Sequence, residues 1–533
     1  MLKRTSGARD AALTTYRKVT MKSVFLLFLT LVVATVVELS GSVAADGPGV
    51  SADVKPIWVG WRRELFLDDY LIDKLDSAEI TYHRPERKSV AMEFDRPWEN
   101  GGEGYAAIMK VDGKYNAYYR SWGFEDDDPM KYCMLQSQDG IHWTRPSLGL
   151  CEFHGIRSNN IMLDKLPGTP YDTQDFTPFE DERPDCPPEE RFKAVGNGYR
   201  SDPPGLFAWK SADGVHWSLM QTEPICTDGK FDTQNIAFWS TVEKKYVLYY
   251  RAFVNDVRVV LRATSDDFIH WTPEGEIQFP KGGGPTLREQ FYTNQIQQYH
   301  RAPHIYIGLP ARYVDNGLIP ATKNLPEWEL RQYRMGIFKG GERLGTATTD
   351  TILIWSRDGV NFQRADDVFI APGLRTSRNW FYGDTYTAWN IVETPSEDDD
   401  SPNELSIYIM EGTNSDKPSR LRRFALRIDG FGSLHAKARE GKVLTKPVIF
   451  EGNELSLNFS TSSAGYVKVE VLDADGQVVP GFSAEDCDLL FGDSIDQRVS
   501  WKGSADFSRF SGKPIRLRFI MSEADVYSIK CEQ

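Results

Sequence analysis

SQDGIHW (Ser137–Trp143), SADGVHW (Ser211–Trp217), SDDFIHW (Ser265–Trp271) and SRDGVNF (Ser356–Phe362) are four copies of one phrase in a chain of 533 residues. Counted between Asp139, Asp213, Asp267 and Asp358, the copies lie 74, 54 and 91 residues apart. Irregular spacing around a constant phrase is what one supersecondary unit gives when it repeats with insertions in its loops. Two copies follow a turn and an aromatic run, DGKYNAYYR (Asp112–Arg120) and EKKYVLYYR (Glu243–Arg251), whose alternation is that of a strand. The phrase reads as a hairpin turn: the Asp side chain accepts backbone N–H groups, Gly supplies positive φ, and Trp packs into the strand pair. These turns identify a fold and carry no chemistry of their own.

A fifth, weaker unit runs from WFYGDTYTAW (Trp380–Trp389) through ELSIYIMEG (Glu404–Gly412) to RLRRFALRIDGFGSL (Arg420–Leu434). No stretch sustains a period of 3.6. Five units of four strands predict a β-propeller, which hides sheet edges by radial repetition. After Leu434 the pattern changes to runs such as YVKVEVLDADGQVV (Tyr466–Val479), where Val467, Val469 and Val471 alternate before an Asp475-Gly476 turn. The expected fold is all-β: a five-bladed propeller over 46–434 and a C-terminal β-sandwich over 435–533. The apolar strand around Asp68 and Asp69 is expected to close the ring against the last blade.

Hydrophobic residues make up 41% and charged residues 26%, which suffices for a packed core. The 14 Trp, 23 Tyr and 29 Phe exceed what a core needs and suit surfaces that stack on flat or sugar-like ligands. Net charge is -14, and six bases against two acids in the first 45 residues leave the remainder near -18, so a nucleic-acid partner is excluded. Residues 1–45 read as a signal peptide. Val24–Val37 is apolar apart from two threonines and too short to span a membrane comfortably, and Ser42-Val43-Ala44-Ala45 offers a cleavage site near Ala45. The expectation is a secreted or periplasmic protein with no membrane role beyond export, an uncleaved anchor being the other reading. Cys133, Cys151, Cys186, Cys226, Cys487 and Cys531 permit up to three disulfides in fifteen pairings, and without CxxC spacing they do not suggest a metal site.

This combination of propeller turns and C-terminal sandwich resembles the glycoside hydrolase clan that includes families 32 and 43. More closely, LFLDDYLID (Leu65–Asp73), RPSLGLCEFHG (Arg145–Gly155), FDTQN (Phe231–Asn235) and LRIDGFGSLHA (Leu426–Ala436) are similar to secreted bacterial proteins classed as family-32-like hydrolases. The resemblance covers nearly all of the mature chain and implies hydrolysis of glycosidic bonds in an oligo- or polysaccharide. The invertase pattern W-M-N-D-P-N-G and the R-D-P and E-C elements are absent, so the candidate residues come from the layout of this chain.

Glycoside cleavage needs one protonated and one ionised carboxyl, often with a third that holds the sugar or tunes a pKa. In a propeller the innermost strand of each blade starts near the axis, so acids at those starts converge. Glu103 precedes GYAAIMKV, Asp232 opens DTQNIAFW, Glu289 precedes QFYTNQIQQY, and Asp384 lies in YGDTYTAW, whereas the second unit offers only Asn159 and Asn160. Glu103 or Glu289 is assigned the donor, Asp384 the base or nucleophile, and Asp232 the sugar-holding or pKa-setting role. Asn235 and Asn294 are candidates for binding ring hydroxyls, and Trp122 and Trp380 for stacking on the sugar. Trp98, Trp239 and Tyr382 lie near the same funnel. Asp68 and Asp69 are a rival pair. The runs Glu125–Asp128 and Glu397–Asp400 read as solvated loop tips. Nucleotide, zinc-protease and serine-hydrolase motifs are missing, and no cofactor is expected. A second function class is a propeller that grips a glycan without cutting it.

Overall fold

Each repeated turn satisfies its own backbone. Ser137 Oγ accepts the N–H groups of Asp139 and Gly140 at 3.2 and 2.8 Å, Asp139 Oδ1 accepts those of Ile141 and His142 at 2.7 and 2.8 Å, and Trp143 Nε1 donates to the Gly140 carbonyl at 3.0 Å. Asp213, Asp267 and Asp358 repeat the aspartate bonds at 2.7 to 2.9 Å. Gly140, Gly214 and Gly359 turn at φ 72–76°, and the third copy places Phe268 at φ 69° instead. Asp213→Ala is expected to cost roughly 1–3 kcal/mol of stability, the loss of two hydrogen bonds to a carboxylate. Urea denaturation measures it, and an unmoved midpoint would show that the flanking strands alone hold the turn.

The computed structural model describes residues 55–99, 104–121, 130–165, 172–199, 201–337, 339–398 and 400–532. The expected signal segment, Glu103, Trp122 and the run Glu125–Asp128 lie outside these residues. Four blades have the repeated turn between their third and fourth strands. Blade 1 is built from Gly104–Val111, Lys114–Ser121, Lys131–Ser137 and Trp143–Thr144, with Ile161–Leu163 added on Lys131–Ser137. Blade 2 comprises Asp172–Glu180, Phe192–Tyr199, Leu206–Ser211 and Ser218–Leu219, and blade 3 Ile236–Ser240, Lys245–Val254, Val257–Ser265 and Trp271–Glu276. In blade 4 the inner strand is split into Glu289–Phe291 and Gln297–Tyr299, and the second into Ala302–Gly308 and Ala311–Asp315, ahead of Ala347–Ser356 and Phe362–Ile370. Blade 5 has a split inner strand, Tyr386–Thr387 and Val392–Thr394, followed by Glu404–Glu411 and Arg420–Leu426. The five-bladed all-β propeller is the observed architecture.

Two expectations need correction. The strand that closes the ring is Glu86–Glu93, paired antiparallel with Arg420–Leu426, and not the segment around Asp68. Ile57–Gly60, Glu64–Leu65, Ile72–Asp76 and Ala78–Tyr82 instead join the C-terminal sandwich, whose long strands Glu454–Leu472 and Pro514–Glu532 pair along most of their length. The propeller strands therefore span Glu86–Leu426, and the residues before them share the sandwich core of Val59, Phe66 and Leu71 with Val469, Leu517 and Val526. The reason is burial: Leu65, Phe66 and Leu67 are all inaccessible, so that run is covered on both sides, while ERKSVAME presents the polar outer face a last strand needs.

The second correction is a helical insertion in blade 4, Pro320–Lys323, Trp328–Met335 and Arg343–Thr346. The longest helix buries only Arg331 and Arg334, so no apolar period announces it. Arg331 donates instead to the carbonyls of Pro326, Gly345 and Trp380 at 2.7, 3.3 and 2.7 Å. All six cysteines are free thiols.

Asp68 and Asp69 take part in ion pairs. Arg357 reaches Asp68 at 3.1 Å and Glu64 at 2.7 Å, fastening blade 4 to the sandwich, and Lys281 meets Asp69 at 3.0 Å. Across the same junction Asp429 is fully buried, 3.0 Å from Arg301 and 3.4 Å from Arg63. Glu397, expected as part of a solvated tip, pairs with the buried Arg423 at 3.1 Å.

Candidate active site at the blade 2 and blade 3 strand starts

Inner strands of four blades are laced together at the axis by glutamine amides. Gln234 Nε2 donates to the Ala106 carbonyl at 2.9 Å, and Gln295 Nε2 donates to Gln234 Oε1 at 2.8 Å and to the Thr387 carbonyl. Trp389 Nε1 adds a bond to the Ile296 carbonyl at 3.0 Å. Beside this plug, Tyr105, Asp175, Gln295 and Thr385 of blades 1, 2, 4 and 5 are buried non-glycine residues with φ between 47° and 56°. Left-handed backbone at such residues costs about 1–3 kcal/mol each and gathers where geometry is dictated by a site.

One titratable cluster sits there. Arg120 Nη1 donates to Asp175 Oδ1 at 2.9 Å, and its guanidinium lies 4.2 Å from the centre of the Tyr105 ring. Asn197 Nδ2 donates to Gln174 Oε1 at 3.2 Å and Gln174 Nε2 to Asp232 Oδ1 at 3.4 Å, so blade 2 reaches the acid of blade 3 through one amide. Tyr105 stacks on Tyr386 at 5.8 Å, Tyr386 on Tyr292 at 5.3 Å, and Tyr382 donates its hydroxyl to that of Tyr292 at 2.5 Å. Arg251 and Arg258 lie 5.4 and 5.0 Å from the Tyr292 ring.

The two carboxyls have different surroundings. Asp175 is fully buried and its Oδ2 has no hydrogen-bond partner, whereas Asp232 is exposed. Burial pushes the Asp175 carboxyl up, and the charge of Asp232 adds to it against the pull of Arg120 and Arg251, to about 7. A buried acid that keeps its proton near neutral pH, next to an open carboxylate, can donate and accept protons at one place.

Of the four acids expected to converge, Asp232 belongs to this cluster and Glu103 lies outside the described residues. Glu289 is drawn away: Arg364 at 3.0 Å and Arg312 at 3.3 Å hold it, against a burial penalty, below the usual carboxylate range. Asp384 is fully buried, but its Oδ2 accepts the Phe381 N–H at 2.8 Å and its Oδ1 the Gly412 N–H at 2.9 Å, so both oxygens cap backbone. Asn235 and Asn294 bond backbone, although Asn235 Oδ1 is buried without a partner. Asn235 Nδ2 donates to the carbonyls of Phe231 and Thr233 at 3.0 and 2.9 Å, and Asn294 Oδ1 accepts the Ile296 N–H at 3.1 Å. Trp380 is half-buried and donates to the Gly373 carbonyl at 2.9 Å, while Trp98 donates to Asn160 Oδ1 at 2.8 Å. Of the expected aromatics, Tyr382 stands in the cluster.

Trp239 lines a different space. At the opposite ends of the inner strands a cavity of about 490 Å³ is bordered by Phe238, Trp239, Trp389, His300, Glu182 and Glu393. His300 Nε2 and Glu393 Oε2 are 3.3 Å apart, and this contact holds Glu393 down to about 2.

Asp175 was legible in the sequence. Blade 3 opens with Phe231-Asp232-Thr233-Gln234-Asn235-Ile236, and blade 2 repeats it as Tyr171-Asp172-Thr173-Gln174-Asp175-Phe176, placing an acid where blade 3 has Asn235. Blade 4 varies it as Phe291-Tyr292-Thr293-Asn294-Gln295-Ile296, which brings Tyr292 to the position of Asp232. The inner-strand phrase repeats as the outer turn does, and aligning it would have found the second carboxyl.

The sequence matches no protein-family model and no curated protein. Among solved structures it is similar to an N-acetylgalactosamine deacetylase from F. plautii in complex with blood group B trisaccharide, with 12% identity over 66% of this chain and 96% of that one and a TM-score of 0.43. A family 117 glycoside hydrolase produced by the marine bacterium Zobellia galactanivorans shares 13% identity over 66% and 91% of the two chains, with a TM-score of 0.34. The family 32 β-fructofuranosidase of Bombyx mori shares 10% identity over 85% and 94%, with a TM-score of 0.38.

Proposed function

We propose that this chain is an exported glycosidase that cleaves a glycosidic bond of an oligo- or polysaccharide at the cluster of Asp175 and Asp232. The observation that carries the reading is the pairing of a fully buried carboxyl, one oxygen unpartnered, with a second carboxyl open to solvent. Asp175 is the proton donor, and Asp232 is the base or nucleophile. Arg120 fixes one oxygen of Asp175 and leaves the other, which is buried, without a partner. The stack of Tyr105, Tyr386 and Tyr292 offers aromatic faces of the kind that pack on a sugar ring. The roles given to Glu289 and Asp384 from the sequence are dropped, because two arginines hold Glu289 Oε2 and both oxygens of Asp384 accept backbone N–H groups.

Release of reducing ends from a panel of plant, algal and fructan polysaccharides tests the reading. Asp175 must hold its proton to act, so turnover is expected to fall about tenfold per pH unit above about pH 7. Asp175→Asn should abolish that descent along with most of the activity. Glycans that bind and are never cut would leave the non-catalytic propeller as the function.

A further inference from the structure

We propose that the glycan taken by this site is anionic, its carboxylate or sulfate group lying against Arg258 and Arg343 beside the tyrosine stack. The inference rests on the carbohydrate reading above and names the class of sugar. It starts from a mismatch in how arginines are paired.

Several arginines in or near the core meet acids: Arg262 pairs with Glu243 at 2.6 Å, Arg312 with Asp350 at 2.6 Å, Arg357 with Glu64 at 2.7 Å, Arg423 with Glu397 at 3.1 Å and Arg516 with Asp73 at 2.6 Å. That is the rule for buried charge, and the acidic excess of the chain makes it easy to follow. Around Tyr292 it fails. Arg258 is 8% exposed, yet its partner is the neutral Gln290, whose Oε1 accepts from Nη1 at 2.6 Å, and its Nε has no partner. Arg343 Nε is buried and also unpartnered. Arg251 gives its Nε to the Lys230 carbonyl at 3.0 Å. Among the described residues no carboxylate lies within ion-pair distance of any of the three.

Their guanidinium groups share one wall. Arg258 lies 5.0 Å from the ring centre of Tyr292 and 4.9 Å from that of Tyr313, and Arg343 lies 5.4 Å from that of Tyr382. Aromatic faces support a cation but do not neutralise it. The hydroxyls of Tyr386 and Thr385, at the same stack, are buried without partners as well. Arg331 shows how a purely structural arginine looks here, with three backbone carbonyls as acceptors. Arg258 and Arg343 each keep a buried Nε–H without an acceptor beside the proposed sugar site, and the guanidinium fork to which that N–H belongs is the donor geometry that a planar carboxylate or a sulfate oxyanion matches. Uronate and sulfate ester share this chemistry.

Calorimetry on the purified mature protein with three hexasaccharides, neutral galactan, galacturonan and sulfated galactan, distinguishes the sources. At least one charged hexasaccharide is expected to bind about tenfold or more tightly than the neutral one, and the stronger arm names the anion. Arg258→Gln and Arg343→Gln should each weaken that binding about ten- to a hundredfold while leaving the neutral glycan unchanged, and Arg258→Lys should restore part of it. Arg343, half-buried, provides the test if Arg258→Gln fails to fold. Equal binding of neutral and charged glycans, or equal weakening of both by the substitutions, overturns the anionic inference and leaves the glycosidase reading standing. Binding of none overturns both.

Discussion

Asp232→Asn is expected to lower kcat/KM on a cleaved glycan by about 10²- to 10⁴-fold, the usual cost of removing a general acid or base. Asparagine keeps the shape and can still accept from Gln174 Nε2, and the side chain is exposed, so the variant should melt with the wild type. The substitution has a second effect with a definite sign. Because the charge of Asp232 helps hold the Asp175 carboxyl up, its removal lets Asp175 ionise at lower pH, and the alkaline fall of the residual activity should move to lower pH. Loss of activity with an unmoved profile would mean that the two carboxyls do not act together. A variant within tenfold of wild type would put the chemistry elsewhere, with the cavity at the other end of the inner strands the next place to look.

Asp429→Ala should be the most damaging single change to the fold, at about 3–5 kcal/mol, as when one partner of a buried ion pair is removed. Asp429 Oδ1 accepts from Tyr299 Oη at 2.7 Å and Arg301 Nε at 3.0 Å, and Oδ2 from Ser528 Oγ at 2.7 Å and Asn458 Nδ2 at 3.2 Å. One carboxylate thus ties blade 4, the turn after blade 5 and the sandwich, and its loss removes the ion-pair partner of Arg301 and leaves Arg63 only the exposed Asp496 at 3.8 Å. Burial works against the ionised form, but Arg301 and Arg63 win and hold the carboxyl below its ordinary range. A depressed carboxyl contributes stability that is intact above its unfolded pKa of about 4 and is lost as pH falls through the folded value. The wild type should therefore lose stability in acid faster than the variant. Denaturant midpoints from pH 7 downward measure both quantities, and a variant as stable as wild type at pH 7 would show that the junction does not depend on this charge.

The outer turns were readable because each is closed by its own residues: Ser, Asp and Gly, or Phe268, meet their bonding needs within seven positions. Blade number follows from them. Ring closure is not local, since two N-terminal strands compete for one edge and only the three-dimensional burial of Leu65–Leu67 excludes the first. The helix of Trp328–Met335 escaped notice because arginines fill its inner face, and the same type of residue hid the site. Arg120, Arg251 and Arg258 stand in strands where a sequence reading assigns a solvated charge. Asp232 is legible from its place before an inner strand, whereas Asp175 is missed because the second unit is expected to start at Asn159 and Asn160, and the strand that follows them, Ile161–Leu163, belongs to blade 1.

Closing the ring with Glu86–Glu93 also fixes the order in which this protein can be made. Ala425 pairs with Glu86, and Ser528 with Leu65, so the earliest strands leave the ribosome long before their partners exist. Blades 1 to 4 can form as the chain emerges, each hairpin finding its neighbour within a few residues, but the ring stays open until residue 426 has been synthesised. Through that interval the strands of Ile57–Tyr82 and Glu86–Glu93 are unpaired edges able to capture another nascent chain. Contacts of such long sequence separation are the slow ones. Pairing at the two ends of the described chain is thus completed last, after the blades between them.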